Sequence, residues 1–311
     1  MRRPDFFIVG APKCGTTAMN DYLKDHPEIF VPAKKEIHFF GTDLAFRTGR
    51  RLTEAEYLSY FALARDEKRL GEASVWYLYS QKAAAEIKAF SPAARIIIML
   101  RNPIDMMYSL HSQRLYNGRE NISDFAKALA IEEMHGRKEW DRRGTLNAVG
   151  FSYREAATYT SQVQRYFGVF GREQVHVIIF DDFARATPKA YRQTCEFLQV
   201  DPQFQPEFRI INANKGVHST ALRSFLRDPP GPVRWLLKLL GRQAQQGFKG
   251  WLRRLNTHYE SRPLMDPGLR RRLQAEFAPE VEQLSALLGR DLTPWYHPKE
   301  IYGGGKESSD A

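Results

Sequence analysis

Apolar positions along this chain fall into two kinds of run. Short unbroken blocks occur at Phe6 to Val9, at Arg95 to Leu100 (RIIIML) and around HVII within Gln174 to Phe180. Their length and continuity predict strands buried on both faces of a parallel sheet. Other apolar residues recur at helical spacing. Met19, Tyr22 and Leu23 stand at i, i+3 and i+4, and His26-Pro27 ends their pattern, which predicts a helix with Thr16 and Thr17 in its first turn. Pro103 is well placed at a first helical position, with Met106, Met107 and Leu110 continuing the face. Tyr159, Val163, Tyr166 and Phe167, within Tyr153 to Phe170, predict one further helix facing the core. Strands alternating with helices give an expected α/β fold in three layers, a central mainly parallel sheet flanked by helices.

Composition narrows the class. Hydrophobic residues make up 43% of the 311 and charged residues 26%, which excludes wholesale disorder. With no Ser/Gly linker, repeat or low-complexity run, residues 1–298 read as one domain, followed by a flexible tail over 299–311 that holds Gly303 to Gly305. The net charge of +10 favours anionic partners: a nucleotide, an acidic glycan, a lipid surface or nucleic acid. No nucleic-acid motif accompanies that charge, so no nucleic-acid partner is expected. Cys14 and Cys195 supply neither a disulfide framework nor metal-ligand spacing, and a reducing cytoplasm is the expected setting. The first strand leaves no room for a signal peptide, and no apolar run reaches the ~18 residues of a membrane span. Within 233–258, Arg234, Lys238 and Arg242 form a basic stripe opposite Leu236, Leu237 and Leu240, with Trp235 and Trp251 nearby. Such a segment can lie on an anionic membrane, cover a substrate or pack as an ordinary surface helix. Oligomeric state leaves no trace in the sequence.

The chemistry concentrates where runs end. Phe6 to Thr17 reads FFIVGAPKCGTT, a strand, a glycine turn and a helix start. Unpaired N–H groups at such a start cradle anions. Gly10 and Gly15 keep the spacing of the triphosphate P-loop, yet Thr16 stands where its lysine belongs and the lysine has moved to Lys13. Arg101 ends the second strand block, at the sheet edge where open α/β folds bind ligands, with Ser109 on the helix that follows. Lys215-Gly216 is a third candidate anion contact, or a turn with a solvated lysine. In VPAKKEIHFF, Glu36 lies between Lys35 and apolar rings, with His38 on the same side if the segment is extended. Apolar neighbours raise a carboxylate's pKa toward that of a general base, and flanking lysines oppose this.

The loop with its displaced lysine resembles the 5′-phosphosulfate loop of sulfotransferases that use 3′-phosphoadenosine 5′-phosphosulfate (PAPS). RNPIDMMYS resembles their 3′-phosphate motif, and KEIHFF resembles the catalytic segment of the heparan-sulfate (glycan) members, of which this chain looks like a soluble, bacterial-type relative. The resemblance covers Phe6 to about Leu292. It implies a P-loop-like fold, PAPS as co-substrate, PAP as product and no metal. It further implies Lys13, Cys14, Gly15, Thr16 and Thr17 around the phosphosulfate, Arg101, Ser109, Lys215 and Gly216 at the 3′-phosphate, and Glu36 as base with His38 assisting. Lys13 would stabilise the leaving group. Three positions depart from the family pattern: no arginine at Asp105 or Met106, Gly41 for an aspartate, and Ala73 for a lysine in GEASVWYLYS. The last two belong to acceptor recognition, so the expected acceptor is a hydroxyl or amine of a carbohydrate, glycolipid or other small molecule rather than heparan sulfate itself. Trp76, Tyr77 and Tyr79 suit either sugar stacking or core packing. An ATP-dependent P-loop phosphotransferase, with Asp181-Asp182 as a metal site, is the rival enzyme reading; a basic binding module is the non-enzymatic one.

Overall fold

The structure, a computed structural model, describes residues 2–44, 50–142, 152–209, 215–217, 257–259 and 263–297, with the backbone alone for 135–142 and for the two short segments. In chain order the elements are β1 (Phe6–Gly10), α1 (Thr16–Lys24), β2 (Ile29–Phe30), α2 (Glu54–Ser59), β3 (Arg69–Ala73), α3 (Ala83–Phe90), β4 (Arg95–Leu100), α4 (Pro103–Tyr116) and α5 (Phe125–Arg142). They continue as α6 (Tyr153–Ala157), α7 (Tyr159–Phe170), β5 (Val175–Ile179), α8 (Phe180–Arg185), α9 (Thr187–Leu198), β6 (Lys215–Val217), β7 (Thr257–Tyr259) and α10 (Pro267–Leu288).

The main sheet has the order β2-β3-β1-β4-β5 and is parallel throughout. Its centre is what the apolar blocks predict: Phe6 to Val9 and Ile96 to Leu100 are each at most 1% exposed. From β1 the chain moves one way through α1 to β2; from β3 it crosses over β1 to β4 and β5. Right-handed crossovers therefore place α1 on one face and α3, α4 and α7 on the other. The packing agrees. α1 lies against β1, β2 and β3, while α7 lies against α3, α10 and β5. On the α1 face Tyr22 meets the rings of Phe183, at 6.3 Å, and Phe208, at 5.1 Å. The connections diverge between β1 and β4, and the crevice at their carboxyl ends is where such folds take ligands.

One expectation about the helices changes. The helix predicted across Tyr153–Phe170 is broken at Thr158, whose ψ of 81° ends α6 before α7 begins. A tertiary partner explains the break: the Thr160 N–H donates to Glu280 Oε1 of α10 at 2.7 Å, which caps α7 from outside. Tyr159, Val163 and Tyr166 are fully buried all the same. Of the basic segment 233–258, only Thr257 and His258 are among the described residues, in β7, which pairs antiparallel with β6. The rest of that segment and the tail 299–311 lie outside them. No helix among the described residues is long and apolar enough to cross a membrane.

Candidate active site

The turn after β1 is shaped for close approach. A Cβ on Gly10 would stand 2.5 Å from Leu78 Cβ and 2.9 Å from the Val75 carbonyl oxygen. Gly15 is the N-cap of α1 at φ +88°, a left-handed conformation that glycine adopts without strain. Lys13 also turns left-handed, at φ +64°. The Ala11 N–H donates to the Met99 carbonyl at 2.7 Å, fastening the turn to β4. The first helical bond of α1 runs from Met19 N to Gly15 O, at 3.2 Å. The amides of Thr16, Thr17 and Ala18 precede it, and Gly15 has no side chain to cap them, which is the arrangement by which a helix start can take an anion. Cys14 is fully buried and its thiol donates to Pro12 O at 3.3 Å. Burial pushes that thiol up to about 12 against the pull of Arg101 and Lys13, so it stays neutral, and any role toward a ligand falls to its backbone.

Residues 34–40 close over this turn. Lys35 Nζ donates to Thr17 Oγ1 at 2.9 Å and to Thr16 Oγ1 at 3.3 Å, and lies 3.6 Å from Glu36 Oε1. Burial lowers the Lys35 pKa, with Glu36 opposing. Burial raises that of Glu36, with Lys35 and the Val75 N–H, 3.1 Å from Oε2, opposing. His38 Nε2 lies 3.5 Å from Glu36 Oε2. Burial, then Lys34 and Arg119, holds the His38 pKa down at about 4, so the ring is neutral near pH 7. Glu36 and His38 meet, but not through an extended segment: their φ angles are +60° and +57°, and left-handed turns bring the side chains together. Lys35 is the residue that sequence reasoning undervalued, treating it only as a neighbour of Glu36. The signal was its adjacency to that carboxylate; its reach to α1 depends on the fold.

Arg101 follows β4 directly, with its guanidinium 4.8 Å over the Phe180 ring. Ser109 lies two turns into α4 and is 3% exposed. β6, which carries Lys215-Gly216, packs against that helix. Asp105 draws a cation from elsewhere, Arg270 of α10 at 2.6 Å. The Asp181-Asp182 pair opens α8, where the Trp295 indole donates to Asp181 at 2.7 Å and Arg290 pairs with Asp182 at 2.6 Å. Both acids are thus engaged within the fold. A Cβ on Gly41 would stand 2.8 Å from Leu44 Cδ1, so a side chain there needs Leu44 to shift, and Ala73 is 1% exposed. Tyr77 and Tyr79 pack in the core, leaving Trp76 half-buried beside them.

Comparison with known proteins adds an independent line. Residues 3–214 match a family model described as the sulfotransferase domain. Carbohydrate sulfotransferase 15 of Homo sapiens is 28% identical over 251 residues, covering 64% of this chain and 44% of the relative. Heparan sulfate glucosamine 3-O-sulfotransferase 6 of Homo sapiens is 32% identical over 114 residues, 37% of this chain and 31% of the relative. The chain thus spans less than half the length of these curated relatives. The crystal structure of a sulfotransferase from Alicyclobacillus acidocaldarius superposes with a TM-score of 0.71 at 33% identity, covering 96% of this chain and 100% of that one.

Proposed function

The chain belongs to the sulfotransferase-domain family, and from that premise we propose that it transfers a sulfonyl group from PAPS to a hydroxyl or amine of a carbohydrate or glycolipid. One observation carries the reading: Lys35 joins the two hydroxyls at the uncapped start of α1 to the carboxylate of Glu36. A donor cradle and a base therefore share one ammonium group.

PAPS supplies an activated sulfonyl group on a phosphate leaving group. The amides of Thr16 and Thr17 and the backbone of Cys14 and Gly15 hold its 5′ end, and Arg101, Ser109 and Lys215-Gly216 hold its 3′-phosphate. Glu36 takes the acceptor proton as the acceptor oxygen or nitrogen bonds to sulfur and the bond from sulfur to the bridging oxygen breaks. Lys13 neutralises the charge that develops on that oxygen, which leaves with PAP. Neutral His38 orients the Glu36 carboxylate. Less charge resides on a sulfonyl than on a phosphoryl group, so fixed ammonium groups and N–H donors suffice without a metal. The names of the relatives support a glycan acceptor.

Parallel calorimetry with PAP, PAPS and ATP, with and without chelator, tests the donor. PAP and PAPS bind in either condition and ATP does not. Tight, magnesium-dependent ATP binding with ATP hydrolysis overturns the reading in favour of a phosphotransferase. Radiolabelled PAPS offered with desulfated glycosaminoglycans and simple glycolipids identifies the acceptor.

A further inference from the structure

Glu72, in β3, is a carboxylate that this chemistry leaves unused, and it is 2% exposed. Its Oε1 accepts from the hydroxyls of Tyr57 and Tyr77, both at 3.0 Å, and its Oε2 from Ser74 at 2.9 Å. Two of these hydroxyls also accept. Tyr77 takes the N–H groups of Phe39, at 2.8 Å, and Phe40, at 3.2 Å, while Ser74 takes that of His38 at 3.2 Å. A hydroxyl has one proton. Because Ser74 and Tyr77 both give theirs to Glu72, their lone pairs are left facing the loop.

We propose that Glu72 is a positioning residue for the reaction: through Ser74 and Tyr77 it orients three consecutive amides, His38 to Phe40, and thereby holds Glu36 and His38 in their left-handed conformations. The inference rests on the reading of Glu36 as base. Left-handed non-glycine residues are strained and persist only where their surroundings over-determine them. Here the surroundings are the end of β3 and the residues after it. The Glu36 N–H donates to Ala73 O at 2.9 Å, and the Glu36 carboxylate accepts from Val75 N at 3.1 Å. Residues 73–77 thus grip both ends of the loop, and Glu72 sets the polarity of the grip.

That polarity needs an acceptor at both carboxylate oxygens, which an ionised Glu72 provides. A protonated Glu72 must donate to one hydroxyl: if that is Ser74 or Tyr77, the hydroxyl proton turns toward a loop amide and disturbs it, whereas donation to Tyr57 leaves the loop alone. The groups facing it are Tyr57 of α2, Ser74, Tyr77 and Glu36. Burial, with a lesser push from the Glu36 charge, outweighs the three opposing hydroxyls and raises its pKa to about 7. The polarity of the relay is therefore fixed above neutrality and free to reverse below it.

Four full-length variants test this: Glu72→Gln, Tyr77→Phe, Tyr57→Phe and Glu36→Gln. Hydrogen exchange at the amides of residues 38–40 is read by NMR, kcat with the best acceptor of the carbohydrate screen, and PAP affinity by calorimetry. Glu72→Gln and Tyr77→Phe are expected to speed exchange at those amides and lower kcat by about ten-fold or more, the scale of a small misplacement, with PAP affinity within about three-fold. Glu72→Gln also removes the group that titrates at about 7 beneath the loop, so any loss of kcat as pH falls through that value disappears. Tyr57→Phe removes a donor to Glu72 and touches no loop amide, so it changes both readouts less than Tyr77→Phe does. Should Glu72→Gln fail to fold, the two Tyr→Phe variants decide alone. Unchanged exchange at residues 38–40 in Tyr77→Phe, or equal effects of the two Tyr→Phe variants, overturns the inference and leaves Glu36 as base. Wild-type turnover in Glu36→Gln removes the reading on which the inference stands.

Discussion

Two lysines bracket the strand-to-helix turn, and their electrostatic duties differ. Lys13 lies in the turn itself, while Lys35 reaches it from a loop that also carries a carboxylate. Replacing Lys13 by alanine is expected to lower kcat by about 10²-fold or more, the scale of one lost electrostatic donor, with a smaller effect on PAP affinity; radiolabelled transfer and calorimetry separate the two. Lys35→Ala carries a signature in pH. Burial already raises the Glu36 pKa and Lys35 opposes that rise. Removing the ammonium raises it further, so the ionised base persists over a narrower range and the acid limb of kcat moves to higher pH. An acid limb that stays in place or moves down shows that Lys35 does not stabilise the Glu36 charge. Legibility at this scale was uneven. Glu36 and Lys13 stood out because each residue type is unusual in its setting, but Lys35 looked like a solvated flank.

Among the elements, α4 shows how a helix start can be both a local and a tertiary device. Asn102 caps it, with Oδ1 accepting from the Ile104 N–H at 3.0 Å, and its Nδ2 donates to the Trp295 carbonyl at 2.8 Å. Pro103 at the first helical position was readable from sequence; the second bond, across nearly two hundred residues, was not. Asn102→Ala loses a cap and leaves a buried carbonyl unpaired, an expected destabilisation of about 2–3 kcal/mol. Because Asn102 adjoins Arg101, PAP affinity should fall with it. Asn102→Asp keeps the cap and lacks the donor, so denaturant titration of the two variants resolves the contributions. The interruption at Thr158 is the complementary case: apolar period predicted one helix and α10 divided it.

The whole molecule carries buried groups that titrate against one another. His176 on β5 stacks on Phe197 at 5.2 Å, its Nε2 is buried without a partner, and burial alone holds its pKa down to about 4. The folded state thus favours the neutral ring, and the stability this gives above pH 6.5 is lost as pH falls from 6.5 toward 4. Glu72, raised to about 7, runs the other way: its contribution is greatest below about pH 4.5 and is lost as pH rises to 7. Between these limits the two slopes oppose. His176→Phe keeps the stacking and removes one of them, so its stability relative to the unmodified protein should grow by about 2–3 kcal/mol between pH 7 and pH 4.5. Parallel melting curves at both values check this, and a constant difference contradicts it.

The strands β1, β4 and β5, the glycine turn and the start of α1 were determined by sequence alone, because each depends on neighbours within a few residues: continuity of apolar side chains, a left-handed Gly15, a period of 3.6. The family resemblance was legible for the same reason, since its motifs are short and local. Tertiary structure alone decided that Lys35 meets Thr16 and Thr17, that Ala73 is buried, and that Glu72 faces three hydroxyls. Those meetings depend on strand register and on how layers stack, and both are set by the packing of the entire core, which no local period encodes.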